Sequence, residues 1–116
     1  MKQSIYKELL SHVIETIEDR DLTNFEELHF HAFNEDYYIV GYYEAEQWLK
    51  KHDVSAFEAI QEVIDYEQSN FGEVNTDIDS EAVVNMYVYI KGEELLADFD
   101  LDQSQADLLE QLKAQL

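Results

Sequence analysis

Three observations predict an all-α fold, a compact bundle of about five to six helices forming a single domain over residues 1–116. Pro is absent, Gly occurs only at 41, 72 and 92, and apolar residues recur at helical spacing along most of the chain. Hydrophobic residues make up 46% of the sequence, with one Trp, eight Tyr and six Phe, which is enough for a core despite the high charge. A length of 116 residues fits one domain.

Ser4 is placed to cap a first helix. Ile5, Leu9, Val13 and Ile17 form its inner face, widened by Leu10 and Ile14, and the polar run Glu18-Asp19-Arg20-Asp21 ends it. Thr23 with Glu26, or Asn24 with Glu27, offers a capping box for a short second helix whose inner side is Phe25, Leu28 and Ala32. Asn34-Glu35-Asp36 starts a third helix. Its face is Tyr38, Tyr42, Ala45 and Leu49, with Ile39 and Trp48 alongside, and Lys50, Lys51 and His52 complement the negative end of its dipole. Gly41 inside this segment lowers helix propensity by about 1 kcal/mol, so close packing of a neighbouring helix is expected there.

Ser55 and Glu58 form a further capping box, followed by an inner face of Phe57, Ile60, Val63 and Ile64, with Gly72 as the stop. Residues 73–79 read as a polar loop. Asp79 or Ser80 opens a fifth helix using Val83, Met86, Tyr87 and Ile90, where Gly92 either interrupts the helix or permits close packing. Leu95, Leu96 and Phe99 continue it, and Leu101, Leu108, Leu109 and Leu112 belong to a last helix. The alternative is an α+β fold with strands near 37–43 and 83–90, because both segments are rich in aromatic and β-branched residues. Helix is preferred because the helical spacing continues beyond each segment and hairpin turn signals are missing.

Charge dominates the functional reading. The chain carries 27 Asp and Glu against 7 Lys and Arg, a formal net charge of −20. A folded domain of this length is roughly 35 Å across. Duplex DNA of about 34 Å carries roughly the same charge, at one per ~1.7 Å of axis. Residues 1–52 hold 11 acids and 5 bases, whereas residues 53–116 hold 16 acids and 2 bases. The cations are scattered, which argues against direct binding to nucleic acid or to an anionic membrane and favours a basic protein partner.

No Cys is present, so neither a disulfide nor a thiolate metal site can form. Met1 to Leu10 has no long apolar run, and the apolar stretch at 83–90 is far short of the ~20 residues that span a bilayer. A cytoplasmic location is therefore expected.

The chemical motifs are weak. Glu26 and His29 have the Glu-x-x-His spacing of di-iron bundles, but the second copy and the two further Glu are missing. His29 and His31 point to different sides of a helix. Asp98-Phe99-Asp100-Leu101-Asp102 begins like a calcium loop but has Gln103 and Leu109 where Gly and Glu are required. Asn75 to Asp79 fails in the same way, with Ser80 and Met86 at those places. No nucleophile elbow or phosphate loop occurs. The expectation is a protein with no catalytic residues, no metal and no cofactor.

Two features point to binding. Glu58, Glu62 and Asp65 follow i, i+4, i+7 and share one helix face, where like charges repel by a few tenths of a kcal/mol per pair. With Glu67, Glu73, Asp77, Asp79 and Glu81 they are the candidate phosphate surrogates. Tyr42, Tyr43 and Trp48 are candidate aromatic anchors, because Tyr and Trp are enriched at interface hot spots.

At Phe33-Asn34-Glu35-Asp36-Tyr37-Tyr38-Ile39-Val40-Gly41-Tyr42-Tyr43 and Ala56-Phe57-Glu58-Ala59-Ile60 the chain resembles small uncharacterised acidic proteins of tailed bacteriophages. The resemblance extends through Phe71-Gly72-Glu73 and Val83-Val84-Asn85-Met86. It implies a phage origin. Small acidic phage proteins include DNA-mimic inhibitors of restriction enzymes, CRISPR effectors, uracil-DNA glycosylase and nucleoid proteins.

The functional expectation is a non-enzymatic DNA mimic. It would occupy the nucleic-acid-binding site of a basic host protein engaged in defence or DNA processing. The alternative is a phage adaptor or a self-associating interaction module, such as a homodimer, that uses the aromatic face.

Overall fold

The computed structural model describes residues 1–21, 24–33, 41–74 and 79–116. These form six α-helices and, among the described residues, no strand: α1 (Gln3–Arg20), α2 (Phe25–Phe33), α3 (Tyr42–Lys51), α4 (Ala56–Phe71), α5 (Ser80–Ala97) and α6 (Gln105–Lys113). The fold class is all-α. Residues 41–43 and 83–90, where strands were the alternative, contain no strand: Gly41 caps α3, Tyr42 and Tyr43 open it, and 83–90 lie within α5. Residues 37–40 lie outside the described residues.

Two compact units are resolved. One comprises Met1–Asp36 and Lys91–Leu116, the other Tyr37–Ile90, and the division falls within α5.

In the first unit, α1 packs against α2 and α6. Its stripe of Ile5, Leu9, Leu10, Val13, Ile14 and Ile17 is buried, as its spacing predicts. α1 starts one residue before Ser4, with Lys2 as the capping residue and no side-chain cap, so Ser4 is not the cap. It ends where the polar run predicts. Asp21 turns into the left-handed region (φ 55°) and donates its N–H to the Ile17 carbonyl.

Asn24 Oδ1 accepts the Glu27 N–H at 3.1 Å, which selects the second of the two predicted caps of α2. Thr23 lies outside the described residues. At the start of α6, Ser104 Oγ accepts the Asp107 N–H at 3.2 Å, and Leu108 and Leu112 are buried.

Gly92 explains how α2 and the last turns of α5 meet. α5 passes through Gly92 without a break. A Cβ placed there would stand 2.5 Å from Phe33 Cε2 and 3.0 Å from Cγ, so the aromatic ring occupies the space that a side chain would need. Gly92→Leu is therefore expected to lower stability by about 2 kcal/mol or more, because overpacking a rigid ring outweighs the ~1 kcal/mol gain in helix propensity. Phe33→Ala in the same chain should recover part of that loss. Urea midpoints of the two single variants and the double variant check it; a midpoint unchanged by Gly92→Leu would refute the close approach.

In the second unit the core contains Ala45, Trp48, Leu49, Val54, Ala59, Val63, Val83, Val84, Tyr87, Val88 and Ile90. α4 begins and ends as its sequence predicts. Ser55 Oγ accepts the Glu58 N–H at 3.1 Å, and Gly72 closes the helix at φ 75°. At the start of α5, Asp79 Oδ1 accepts the Glu81 N–H at 2.8 Å.

Two expectations, for Gly41 and for Phe57, are corrected in this unit. Gly41 is not inside a helix: it precedes α3 at φ 99°, a conformation that favours glycine, so its role is conformational. The proposed start of α3 at 34–36 and the position of Tyr38 lie outside the described residues. His52 follows Lys50 and Lys51 as the C-terminal cap of α3. It is buried, with its ring 4.5 Å from that of Trp48. Phe57, assigned to the inner face of α4, is 77% exposed, and Ile60 and Ile64 are only half-buried; the buried stripe is Ala59, Val63 and Glu67.

Candidate acidic interface

α4 sets the geometry of the candidate surface. At 3.6 residues per turn, Glu58, Glu62 and Asp65 fall within about 60° of one another around the helix axis. Glu58 and Asp65 are exposed and Glu62 is half-buried. The three span about 10.5 Å along the axis at 1.5 Å per residue. Asp65 Oδ1 accepts a hydrogen bond from Gln61 Nε2 at 3.0 Å, one turn away, which restrains its carboxylate. Glu73 follows the Gly72 turn and is exposed. Asp79 is exposed beside the first turn of α5, and Glu81 is half-buried within it.

No Lys or Arg occurs between Lys51 and Lys91. The acids of α4 therefore have no Lys or Arg within a helical turn of them along the chain. The two later cations lie in the other unit and face acids there: Lys91 Nζ is 3.5 Å from Glu94 and Lys113 Nζ is 3.8 Å from Glu18.

Glu67 does not belong to this surface. It is 1% exposed, so its carboxylate cannot stand in for a phosphate. The reason is helical phase. Nine residues after Glu58, it points about 180° away, and it extends the Ala59–Val63 core stripe at i+4 spacing. That signal is present in the sequence. Asp77 lies outside the described residues.

The aromatic candidates divide. Tyr42 and Tyr43, in the first turn of α3, are 56% and 67% exposed. Trp48 is not a surface anchor: it is 7% exposed, and its ring lies edge-on to Tyr87 with centroids 6.0 Å apart. Here too the phase is readable, since Ala45, Trp48, Leu49 and His52 form an i, i+3, i+4, i+7 core stripe.

Sequence reasoning missed Phe57 and Phe71 as surface residues. Both are strongly exposed on α4, and the phase of Phe57 relative to Ala59, about 200° round the axis, was the available signal.

In the other unit, His29 is buried and sits between the rings of Phe25 and Phe33, at 5.9 and 6.1 Å, while Glu26 is exposed. The Glu-x-x-His pair therefore does not converge. His12 Nε2 donates to the Ala32 carbonyl at 2.6 Å, so this histidine ties α1 to α2. Among the described residues no group of three or more His, Asp or Glu is arranged to hold a metal ion. No helix among them is long and apolar enough to cross a membrane.

No protein-family model, no curated protein and no solved structure matches the chain.

Proposed function

We propose that this chain is a non-enzymatic DNA mimic, an acidic inhibitor that occupies the nucleic-acid-binding site of a basic host protein. The observation that supports this reading best is the row of carboxylates on α4. Glu58, Glu62 and Asp65 share one side of α4, Glu73 is exposed just past its end, and no Lys or Arg lies between residues 51 and 91. Their axial span of about 10.5 Å is close to three nucleotide steps of a DNA strand, at ~3.4 Å each. A bacteriophage origin and a role against restriction, CRISPR or other DNA-handling enzymes belong to the same proposal. So does a site of action in the cytoplasm of a bacterial host.

The experiment is capture from bacterial lysate on immobilised protein at low and high salt, with elution by a short duplex oligonucleotide. Nucleic-acid-binding proteins held at low salt and released by the oligonucleotide are the expected result. Capture that the oligonucleotide does not disturb would count against the mimic.

The exposure of Tyr42 and Tyr43 supports a second reading, an adaptor or self-associating module using the start of α3. In that case Tyr43→Ala would abolish capture and charge changes on α4 would not.

A further inference from the structure

α4 carries a second feature beside its carboxylates. Phe57, Ile64 and Phe71 recur at i, i+7 and i+14, a spacing that drifts only ~20° around a straight helix per seven residues. Ile60 lies on the same side. Phe57 is 77% and Phe71 57% exposed, with Ile60 and Ile64 half-buried between them. The ring of Phe71 meets Tyr66 edge-on at 6.2 Å, so it is braced at the end of the helix. The stripe runs about 21 Å, nearly four turns. Scattered apolar residues on a surface need no explanation, but an aligned row with two exposed phenyl rings does.

We infer that this row docks an amphipathic, basic helix of a partner protein: apolar side chains of that helix cover Phe57, Ile64 and Phe71, and its Lys or Arg residues reach Glu58 and Asp65. Charge complementarity selects this occupant. Glu58 and Asp65 each follow a stripe phenylalanine or isoleucine directly, Phe57 and Ile64, and lie about 100° round the axis on the solvent side. A helix lying along the row therefore brings its flanking residues against carboxylates. A second copy of this chain would bring two such acidic flanks together, each on a molecule of net charge −20. The inference does not require the nucleic-acid reading. It concerns a helix-binding row, and it survives if an oligonucleotide fails to compete.

The test uses two synthetic 21-residue peptides of identical Leu and Lys composition. One places Leu at heptad positions a and d; the other has the same residues shuffled so that no apolar face forms. Binding to the full chain is read by fluorescence anisotropy at 0.15 and 0.5 M salt. The amphipathic peptide is expected to bind at least tenfold more tightly than the shuffled one. Phe57→Ser with Phe71→Ser should remove that preference and leave the shuffled peptide's weak binding unchanged. Glu58→Gln with Asp65→Asn should weaken both peptides and flatten the salt dependence.

Circular dichroism checks that each variant folds. Phe57→Ser alone, at the more exposed position, carries the test if the double variant does not fold, and should lose at least threefold of the preference. Equal binding of both peptides would overturn the inference, as would a preference indifferent to the Phe variants. A dimer by sedimentation that the Phe variants dissolve would also overturn it, by making a second copy the occupant.

Discussion

Trp48→Ala is expected to lower stability by about 3–5 kcal/mol, the usual cost of emptying a large aromatic site in a core. Trp48 is 7% exposed on α3 and contacts two buried partners, the Tyr87 ring at 6.0 Å and the His52 ring at 4.5 Å. Truncation leaves a cavity beside Tyr87 that a close-packed interior fills only in part. It also removes the Trp48 ring from against His52, which is 2% exposed. Tyr43→Ala is the control. At 67% exposed it should change stability by no more than about 0.5 kcal/mol. Urea denaturation followed by circular dichroism compares the two. An unchanged midpoint for Trp48→Ala would show that the aromatic cluster does not hold this unit together. Any loss of partner capture by Trp48→Ala therefore has to be read against its loss of stability, whereas Tyr43→Ala reports on the surface directly.

The second large effect is expected for the triple charge reversal Glu58→Lys, Glu62→Lys, Asp65→Lys. The three positions share one side of α4, and reversal there exchanges repulsion among three anions for repulsion among three cations while making the chain's net charge of −20 less negative. Helix content and urea midpoint should hold or rise slightly. Partner binding should fall by 100-fold or more at 0.1 M salt, because three attractive charges become three repulsive ones against a cationic surface. Each reversal changes the local charge by two. A triple variant that keeps its fold and full capture would place the binding surface elsewhere, with Tyr42 and Tyr43 the next to examine. A Glu67→Lys variant is a useful contrast. It should unfold the unit, since it puts a cation into the Ala59–Val63 core stripe in place of a residue that is 1% exposed.

Much of the fold is legible in the sequence, and the reasons are local. Asn24, Ser55 and Gly72 act where their chemistry predicts, because caps depend on side-chain atoms within three or four residues. The α1 stripe from Ile5 to Ile17 is strongly periodic, and all of it is buried. The segment 83–90 was ambiguous for a physical reason. Val83, Val84, Tyr87, Val88 and Ile90 are buried on one side, and Met86 and Tyr89 carry apolar character round to the other, so this stretch of α5 shows neither a clean helical nor a clean strand period. Tertiary burial overrides the β-branched preference there.

The candidate site was less legible. The carboxylate row 58, 62, 65 could be read directly, because i, i+4, i+7 spacing fixes a face once a helix is granted. Which face points inward depends on the neighbours of the helix. Phe57 was assigned to the core by its apolar character and Glu67 to the surface by its charge. Phase decides both cases the other way, and Ala59, a small residue with little hydrophobic weight, marks the true inner stripe. Gly92 resembled a possible helix break because its partner, Phe33, lies far away in sequence.

The most direct measurement of the mimic is the salt dependence of binding to the captured partner, for the wild-type chain and for the neutral variant Glu58→Gln, Glu62→Gln, Asp65→Asn. If the carboxylates stand in for phosphates, the logarithm of the association constant should fall steeply with the logarithm of salt concentration. The neutral variant should lower that slope by roughly one per carboxylate removed. Equal slopes for the two proteins, or a wild-type affinity indifferent to salt, would contradict the proposed mimicry.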